Sequence, residues 1–505
     1  GTVILDSQGL NVGILVGASH TSSNFLVIPF PALAMQVVEL PVVTPRVPGT
    51  ISESVVFDAV TARPFGASVK IGEVRGVVVK TGKSDAKRSL LAGMQLDVNG
   101  EVPDPSIYGP PSIFRGGVGV RTGVYDTYHR NLGILKQAKA HVNSSVLSRA
   151  LEDYWDEIRN ALSDEDLSHI HPESYFNALS GKEDGKPTGI VRPAKLSTAV
   201  GYPFASGKKR DHITLTDTEV IFSKEFGEFL EKFENTLLAG ETPFTFCKAS
   251  PKDEVTKLSK TKTRLFYIGD SATYCVVRKY FWWFPMLIYK HPLVFECAFG
   301  VNPYSQEWAD IQEYLNVFPH HQAADFSDWD LRLPKEFLEG AFTIMERLSN
   351  LGSRSPSAEF FEALKPLFTS PIALFGTELY NLEQGTVSGH PLTYLFNSMA
   401  NSIRARYCFY TLFPTGKKFK DHVRAIYGGD DAHETTNLPG FNQLSTLPIM
   451  LELGIRPTDS NKNTISVPFS PKEEVTFLKR DEQGRLDIKS IHKMLMWTTS
   501  THALE

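Results

Sequence analysis

Short apolar runs separated by turn residues fill the first hundred residues of the chain. Val, Ile and Leu cluster between Gly, Pro and Ser, and this pattern predicts short β-strands. The runs are Asn11 to Val16, Phe25 to Phe30, Val37 to Val43 and Ser68 to Lys80. From Tyr125 to about Leu179 the apolar residues recur at helical spacing instead. Within residues 145–162, one helix face carries Val146, Leu147, Ala150, Leu151, Trp155 and Ile158.

The rest of the chain alternates between predicted helices and predicted strands. We expect an amphipathic helix at 335–350, a hairpin at 371–382, a long helix in 388–410, a strand–turn–strand unit at 423–435 and a helix at Asp487 to Trp497. The most apolar stretch, Tyr274 to Phe299, is interrupted by Arg, Lys, His and Glu residues. It therefore predicts a buried helix followed by a strand rather than a membrane span.

Composition narrows the class of protein. The chain has 505 residues, of which 42% are hydrophobic and 22% charged, and these values exclude a mostly disordered chain, a collagen and a coiled-coil rod. The net charge is −5, so any contact with nucleic acid must depend on locally concentrated positive charge. Four cysteines without CxxC spacing predict reduced thiols in a cytosolic-type compartment. The N-terminus has neither the pattern of a signal peptide nor an initiator Met, and we expect a product or fragment of a longer chain.

Two acidic motifs are candidates for metal binding. Asp430 and Asp431 follow two glycines between two apolar runs, which places both carboxylates at the tip of a tight hairpin. Asp325 lies where a short strand is predicted to end, and Asp330 follows five residues later. A strand-end Asp beside an Asp pair is the arrangement that two Mg²⁺ ions need in phosphoryl transfer. Taken singly, the Asp pair also fits a solvated turn, and Asp325 also fits a helix cap.

A Gly- and Ser-containing loop at 385–389 leads into the predicted long helix. Backbone N–H groups and the Ser388 hydroxyl at such a helix entrance can meet a nucleotide. Thr393 and Asn397 follow on the helix, and the Asn397 amide can approach a sugar. Ser388 also fits a plain helix N-cap, and Asn397 also fits a buried polar residue bonded to backbone.

Positive charge is densest between Lys248 and Arg264. Lysines alternate there with Thr, Ser and Leu, as in an extended ribbon, and Lys and Arg suit a triphosphate. A second basic run, Lys208 to Arg210, follows Gly201-Tyr202-Pro203 and can meet a phosphate backbone. Each basic run taken alone also fits a solvated loop.

Together these motifs resemble those of the RNA-dependent RNA polymerases of positive-strand RNA viruses, in the picornavirus-like group. The matches keep the family's chain order and cover roughly residues 120–500. They are the template motif at 197–211, the basic fingers motif at 252–264, the palm motifs DFSDWD (325–330), SG…T…FNSMAN (388–401), YGGDD (427–431) and LGIRPTDSNKN (453–463), the primer-grip hairpin VTFLKR (475–480) and the first thumb helix IHKMLMW (491–497).

The resemblance implies a role for each matched residue. The metal ligands would be Asp325, Asp430 and Asp431, which would bind Mg²⁺, with Mn²⁺ able to substitute. The ribose would be read by Asp330 and Asn397 with support from Ser388 and Thr393, which selects NTP over dNTP. The triphosphate would be held by Lys252, Lys262 and Arg264. The RNA would be contacted by Gly201, Tyr202, Pro203, Lys208, Lys209 and Arg210. The general acid for pyrophosphate departure would be Lys462.

The sequence departs from the family's pattern at three points. Relatives have one Gly between Tyr and the Asp pair, whereas this chain has Gly428 and Gly429. Either Gly428 replaces the aromatic residue or the hairpin carries an extra residue. The Lys expected after Pro-x-Asp in the fourth palm motif is Ser460 here, with Lys462 two residues later. Relatives also have a longer thumb after the primer grip, so we expect weaker retention of RNA by this chain.

The implied fold is α+β: a right-hand polymerase with fingers, palm and thumb, an antiparallel palm sheet and a β-rich N-terminal extension. Residues 9–30 also resemble the last strands of the chymotrypsin-like cysteine protease that precedes this polymerase in viral polyproteins. The alternative is a β-rich extension of the polymerase itself. The predicted divisions are a protease remnant at 1–36, an N-terminal extension and fingers-linking segment at 37–120, fingers with early palm elements at 121–315, a palm with a fingers insertion at 316–480 and a partial thumb at 481–505.

The predicted function is template-directed RNA synthesis from NTPs by two-metal-ion nucleotidyl transfer, for viral genome replication and transcription. The predicted partners are an RNA template and primer, NTPs, a small protein primer and other viral replication proteins, at replication complexes in the host cytoplasm. Two alternatives stay open: a reverse transcriptase-like polymerase and an inactive RNA-binding polymerase precursor. The pairing of Asp330 with Asn397 argues against the first, and the intact Asp325, Asp430 and Asp431 argue against the second.

Overall fold

The structure, a computed structural model, describes residues 2–5, 11–18, 25–29, 55–58, 68–75, 77, 84–94, 107–115, 120–137, 141–183, 185–204, 206–459 and 463–499. The chain divides into two compact units, Gly1–Val42 with Ala59–Ala62, and Val43–Asp58 with Arg63–Glu505. In the first unit, β1 (Thr2–Leu5), β2 (Asn11–Ala18) and β3 (Phe25–Pro29) form an antiparallel sheet in that order. This sheet confirms two of the predicted strands, whereas the run at Val37 to Val43 lies outside the described residues. The assignment of residues 1–36 to a protease stays a prediction.

The second unit contains both helices and sheets, which confirms the predicted α+β class. Its helices are α1 (Val120–Leu135), α2 (Ser144–Ala161), α3 (Asp164–Ser168), α4 (Tyr175–Ser180), α5 (Lys224–Leu238), α6 (Ser271–Phe281), α7 (Trp283–Lys290), α8 (Gln306–Leu315), α9 (Trp329–Arg332), α10 (Lys335–Leu351), α11 (Ala358–Thr369), α12 (Thr393–Leu412), α13 (Phe419–His422), α14 (Gln443–Glu452) and α15 (Ile488–Met496). Its strands are β4 (Val55–Phe57), β5 (Val69–Val74), β6 (Lys87–Arg88), β7 (Tyr108–Gly109), β8 (Lys182–Glu183), β9 (Lys186–Pro187), β10 (Ile213–Leu215), β11 (Val220–Phe222), β12 (Cys247–Pro251), β13 (Thr256–Lys257), β14 (Leu265–Ile268), β15 (His320–Phe326), β16 (Ile372–Phe375), β17 (Glu378–Asn381), β18 (Val423–Gly428), β19 (Asp431–Thr436), β20 (Pro457–Thr458) and β21 (Trp497–Thr498).

An antiparallel sheet in the order β18-β19-β15-β20 corresponds to the predicted palm. The strand–turn–strand unit expected at 423–435 is confirmed as β18 and β19. Strand β15 pairs with β19 along most of its length and then with β20 at its last two residues, Asp325 and Phe326. The sheet therefore brings segments more than a hundred residues apart in sequence to one edge.

A second, larger sheet connects N-terminal and central parts of the chain. Its strand order is β14-β12-β16-β17-β5-β4. The hairpin predicted at 371–382 forms its middle strands, β16 and β17. Because β12 and β14 flank the basic segment that starts near Lys252, this sheet fixes both ends of that segment.

Helix α2 follows the predicted amphipathic pattern, but its buried face is rotated slightly. Asn143 caps the helix by accepting hydrogen bonds from the backbone N–H groups of Ser145 and Val146. The fully buried residues are Ala150, Tyr154 and Ile158, whereas the predicted Trp155 is only half-buried. Tyr154 can occupy the core because its hydroxyl donates a 2.6 Å hydrogen bond to the Phe295 carbonyl.

The predicted long helix is α12, and it runs through the core. It packs against α2, α10, α14 and β18, and every residue from Leu395 to Tyr410 is buried. Arg406 on this helix has no exposed surface, and its guanidinium binds three carboxylates at 3.2, 2.5 and 2.8 Å. They belong to Asp153, Glu157 and Glu296. A charged network therefore lies inside the core that supports the palm.

The stretch from Tyr274 to Phe299 forms helices, but the strand predicted to follow them is wrong. Helices α6 and α7 continue to Lys290, and the chain then turns at His291 and Pro292. Pro292 has no backbone N–H to donate to a neighbouring strand. In the described part of the chain, the segment after it pairs with β18 through one isolated bridge, between Cys297 and Tyr427. Here two hydrogen bonds join the segment to β18: Ala298 N–H donates to the Tyr427 carbonyl, and Tyr427 N–H donates to the Glu296 carbonyl.

The C-terminal elements agree with the prediction. Phe477 and Arg480 exchange backbone hydrogen bonds across a two-residue turn, which forms the expected hairpin, and Asp487 caps the expected helix α15. All four cysteines are free thiols, as predicted. Among the described residues, none of the helices combines the length and hydropathy of a membrane span.

Candidate active site

The hairpin of β18 and β19 ends in a two-residue turn made of Gly429 and Asp430. Its register runs without a shift from Val423 opposite Thr436 to Gly428 opposite Asp431, so the hairpin contains no extra residue. Gly429 adopts φ +72°, which glycine allows without strain. Gly428 thus takes the position of the aromatic residue in relatives. A Cβ there would lie 2.5 Å from Leu478 Cδ2 and 3.1 Å from the Tyr394 hydroxyl, so these side chains fill the available space.

Two polar side chains of α12 hold the turn. Ser398 Oγ accepts a 2.9 Å hydrogen bond from the Gly429 N–H, and Asn401 Nδ2 donates a 3.0 Å bond to the Gly429 carbonyl. Ser398 and Asn401 are themselves fully buried. The position of Asp430 is consequently set by a rigid core helix rather than by a free loop.

Asp325 lies beside this turn on the neighbouring strand. Ala324 pairs with Ala432, so the next residue on β15, Asp325, lies next to Asp431 on β19. Paired Cα atoms on antiparallel strands are about 5 Å apart. The predicted convergence of Asp325 with the Asp pair is therefore present in the backbone, at the same edge of the palm sheet.

The three aspartates offer only carboxylate oxygens, which are the donors that Mg²⁺ prefers. Their side chains are half-buried or exposed, so they can reorient toward an ion. Within the described part of the chain, no three His, Cys, Asp or Glu side chains already form a group that could hold a metal. The residues fit the metal by chemistry and backbone position, and side-chain rotation would complete the coordination.

One of the expected ribose-reading residues, Asp330, interacts electrostatically with Asp430 of the Asp pair. Burial raises the pKa of the Asp330 carboxyl; the charges of Lys262 and Arg264 oppose this rise, while Asp430 adds to it. Asp430 and Asp330 are thus close enough to interact. Asn397 is buried, and its Oδ1 accepts a 3.0 Å hydrogen bond from Trp329 Nε1, which fixes the orientation of the amide.

The loop at 385–389 is packed against the turn that carries Asp330. The Thr386 N–H donates to the Asp330 carbonyl at 2.9 Å, and a Cβ on Gly385 would lie only 2.5 Å from that carbonyl. Ser388 is exposed, and its Oγ accepts a 3.1 Å bond from the Tyr267 N–H of β14. The Thr393 hydroxyl lies 2.8 Å from the Val387 carbonyl. Ser388 and Thr393 therefore shape the loop around the candidate ribose site.

The basic segment meets the palm from the side of the larger sheet. Lys252 N–H donates to the Arg264 carbonyl at 2.8 Å, so these two residues lie opposite each other beyond the ends of β12 and β14. Glu254 binds both side chains, at 3.3 Å from Lys252 and 3.8 Å from Arg264. Lys262 reaches across to Asp328 in the palm and forms an ion pair with it. Neither Glu254 nor Asp328 is a predicted site residue.

Helix α15 adds a further cation that is not among the predicted site residues. Burial lowers the pKa of Lys493, and the charges of Lys479, Lys260 and Lys252 lower it further, whereas Glu254 opposes them. Lys493 therefore lies close to the basic segment although it is more than two hundred residues away in sequence. Basic residues in 479–493 were the only signal for this contact, and their spacing gives no information about it.

A comparison with protein families places these motifs in a known group. The model of the family "Viral RNA-dependent RNA polymerase" matches residues 170–505, which include the acidic and basic residues and the expected ribose-reading residues described above. The chain belongs to the viral RNA-dependent RNA polymerase family. This assignment confirms the predicted family and disfavours the reverse transcriptase alternative.

The chain is similar to parts of viral RNA1 polyproteins. It is 27% identical to that of Broad bean wilt virus 1 over 410 residues, 75% of this chain and 21% of the polyprotein. It is 30% identical to that of Arabis mosaic virus over 246 residues, 46% of this chain and 10% of the polyprotein. The chain thus spans about a fifth or less of these relatives' length.

The polymerase fold is also found in a solved structure. The Sicinivirus 3Dpol RNA dependent RNA polymerase matches with a TM-score of 0.68 at 16% sequence identity, over 88% of this chain and 87% of that chain. This similarity confirms the predicted right-hand polymerase fold.

In the predicted template motif at 197–211, the structure separates exposed from buried cations. Lys208 and Arg210 are exposed, but Lys209 is buried, and its ammonium donates 2.9 Å hydrogen bonds to Thr198 Oγ1 and the Ala199 carbonyl. Burial lowers the pKa of Lys209. The ammonium of Lys209 thus stabilises its own loop. This geometry disfavours the prediction that Lys209 contacts RNA directly.

The other three residues predicted to contact RNA, at 201–203, form a turn whose backbone is closely packed. A Cβ on Gly201, at φ +77°, would lie 2.2 Å from the Gly269 carbonyl, so only glycine fits. Tyr202 packs among Phe229, Phe244 and Phe246, and the peptide bond to Pro203 is cis. The roles of Gly201, Tyr202 and Pro203 at RNA stay predictions, as does that of Lys462, which lies with Ser460 outside the described residues.

Proposed function

We propose that the chain synthesises RNA on an RNA template by adding NTPs to the 3′ end of a growing strand. The observation that carries this proposal is the strand register that places Asp325 next to Asp431 and the Asp430 turn. The charges of Lys262, Arg264 and Asp430 all act on Asp330, and Lys262 forms an ion pair with Asp328, three residues after Asp325. Carboxylates that bind divalent ions and cations that bind the triphosphate are what nucleotidyl transfer from an NTP uses, and groups that read the 2′-hydroxyl add selection of NTP over dNTP.

The chain's own residues bind and orient the nucleotide in this proposal. The triphosphate is bound by Lys252, Lys262 and Arg264, because ammonium and guanidinium groups donate charge-assisted hydrogen bonds to phosphate oxygens. Asp330, which is half-buried, and Asn397, which is buried, meet the 2′-hydroxyl, and a missing partner is costly where water is excluded. Asp325, Asp430 and Asp431 would hold two Mg²⁺ ions. When bound, such ions lower the pKa of the attacking 3′-hydroxyl and neutralise the leaving phosphates.

Extension of a primed RNA template tests this function. The protein is incubated with labelled primer, template and NTPs in Mg²⁺ or in Mn²⁺, and in parallel with dNTPs. We expect extension with NTPs that requires the divalent ion. Preferential dNTP incorporation would favour the reverse transcriptase alternative, and RNA binding without extension in either metal would favour the inactive precursor.

The ribose pocket yields a further prediction, for Asp330→Asn. The substitution keeps the side-chain volume but removes a charged acceptor for the 2′-hydroxyl, whose hydrogen bond is worth about 1.5–3 kcal/mol. We expect the ratio of kcat/KM for NTP over dNTP to fall by about ten- to a hundredfold. Asp310→Asn, the same change on the exposed face of α8, is the control and should keep the parental ratio. An unchanged ratio in Asp330→Asn would remove Asp330 from ribose selection.

The relatives support a proposal about origin and setting. Because the similar proteins are RNA1 polyproteins of RNA viruses, we propose that the chain is released from such a polyprotein. Its site of action would be replication complexes in the host cytoplasm, together with a small protein primer and other viral replication proteins. Immunoprecipitation of the chain from infected cells, with sequencing of the bound RNA, tests this setting.

A further inference from the structure

Asp328 connects three parts of the chain through one carboxylate. It lies in the turn between β15 and α9, three residues after Asp325. Its Oδ1 accepts a hydrogen bond from Lys262 Nζ. The Arg130 guanidinium on α1 donates to its two oxygens at 3.4 and 3.2 Å. Asp328 therefore holds a cation of the basic segment and a cation of α1 against the palm.

The carboxylate of Asp328 is more shielded from water than its partners. Its side chain is 12% exposed, against 36% for Lys262 and 41% for Arg130. Burial alone would raise the pKa of Asp328, but the hydrogen bond and charge of Lys262, with Arg130, outweigh it and lower the pKa. Asp328 is thus an anion at neutral pH, bound to a lysine that the proposed function assigns to the triphosphate.

The backbone at this position accepts other residues. Asp328 has φ 56° and ψ 39°, the left-handed conformation that Gly and Asn adopt most readily. Asn matches Asp in size, so Asp328→Asn removes the negative charge and keeps the local conformation. Asp328→Gly removes the whole side chain and relaxes the backbone. The two substitutions separate an effect of charge from an effect of fold.

We propose that Asp328 is a displaceable internal anion that occupies Lys262 and Arg130 until the triphosphate of an incoming nucleotide takes its place. The inference rests on the proposed function, because it requires that Lys262 bind the triphosphate. Carboxylate and phosphate oxygens accept hydrogen bonds from ammonium and guanidinium groups by the same chemistry, so they compete for these cations. Asp328 consequently weakens the binding of both the nucleotide and the pyrophosphate product, and it shortens the time that pyrophosphate stays bound.

The opposite role for Asp328 would be to position Lys262 for the nucleotide. The two roles predict opposite signs. If Asp328 competes, its removal strengthens triphosphate binding; if it positions Lys262, its removal weakens binding. The direction of the change in affinity therefore decides between them.

The test compares the parent protein, Asp328→Asn and Asp328→Gly. Binding of inorganic tripolyphosphate is measured by titration calorimetry without divalent ions, and KM and kcat for NTP are measured by primer extension. We expect both variants to lower the tripolyphosphate Kd and the NTP KM by about three- to tenfold, with kcat changed less than twofold. Glu152→Gln, which removes one negative charge from the exposed Glu152–Arg347 pair, should leave both constants unchanged.

The possible results distinguish a failure of the proposed role of Asp328 from a failure of the proposed function. Unchanged or raised Kd in both variants overturns the role of Asp328, even where primer extension proceeds normally and the proposed function stands. Lowered Kd in both variants supports it, and if the parent protein then fails to extend a primer, the proposed function fails separately. A change confined to Asp328→Gly overturns the inference, because relaxation of the backbone would then explain the effect.

Discussion

Asp430→Ala is expected to abolish RNA-directed primer extension while leaving the protein folded. The substitution removes a carboxylate from the turn that meets Asp325 at the edge of the palm sheet. Metal ligation in phosphoryl transfer is worth several kcal/mol of transition-state stabilisation, so the rate should fall by about a thousandfold or more. The measurement is single-turnover extension of a primed template, with saturating NTP so that a change in nucleotide affinity does not enter.

Two controls make this result specific. Asp481→Asn removes an Asp from a surface turn, where its carboxylate binds Arg485, and should extend the primer at the parental rate. Thermal unfolding should give Asp430→Ala the parental midpoint, because its side chain is exposed. Extension by Asp430→Ala within tenfold of the parental rate would show that the Asp pair does not bind the catalytic ions.

Arg406→Met is expected to cause the largest loss of stability. Arg406 is fully buried and binds Asp153, Glu157 and Glu296, so its removal leaves Glu296 paired, among the described residues, with Lys420 at 2.7 Å. Removal of one partner from a buried ion pair costs about 3–5 kcal/mol. Denaturant unfolding should show this loss at neutral pH. The matched control is Arg347→Met, which breaks a partly exposed pair with Glu152 and should cost less than about 1 kcal/mol.

The loss should depend on pH in a defined direction. Burial alone would raise the pKa of Glu296, but the charges of Arg406 and Lys420 outweigh it and lower the pKa to about 2 from an ordinary value of 4.5. In the parent, this contribution to stability is present above pH 4.5 and is lost as the pH falls toward 2. Without Arg406 the carboxyl can be protonated at higher pH. The difference between parent and variant should therefore shrink on acidification, and a constant difference would contradict this account.

The palm could be predicted from sequence because its signals are local. Glycines before Asp430 and Asp431, between two apolar runs, predict the hairpin of β18 and β19, and the Gly- and Ser-containing loop at 385–389 predicts the entrance to the long helix α12. The number of residues in the turn could not be predicted, because two adjacent glycines allow more than one register. The structure decides it through contacts from Leu478 and Tyr394, which come from distant parts of the chain.

Charge partners were the least predictable part of the site. The basic segment was identified by its composition, but its counter-ion Asp328 lies 66 residues away from Lys262. The burial of Lys209 could not be predicted either, because the sequence of three consecutive cations does not indicate which of them is buried. Arg406 was missed because a charged residue is usually exposed; here its carboxylate partners Asp153, Glu157 and Glu296 stabilise it in the core.

Anomalous diffraction from crystals soaked with Mn²⁺ and a non-hydrolysable NTP, in complex with primed RNA, tests the central claim most directly. The account predicts two peaks about 3.5–4 Å apart, both bound by the carboxylates of Asp325 and Asp430, with the ribose at Asp330 and Asn397. Crystals of Asp325→Asn should lose at least one peak. Nucleotide bound at Lys252, Lys262 and Arg264 without any manganese between Asp325 and Asp430 would contradict the account.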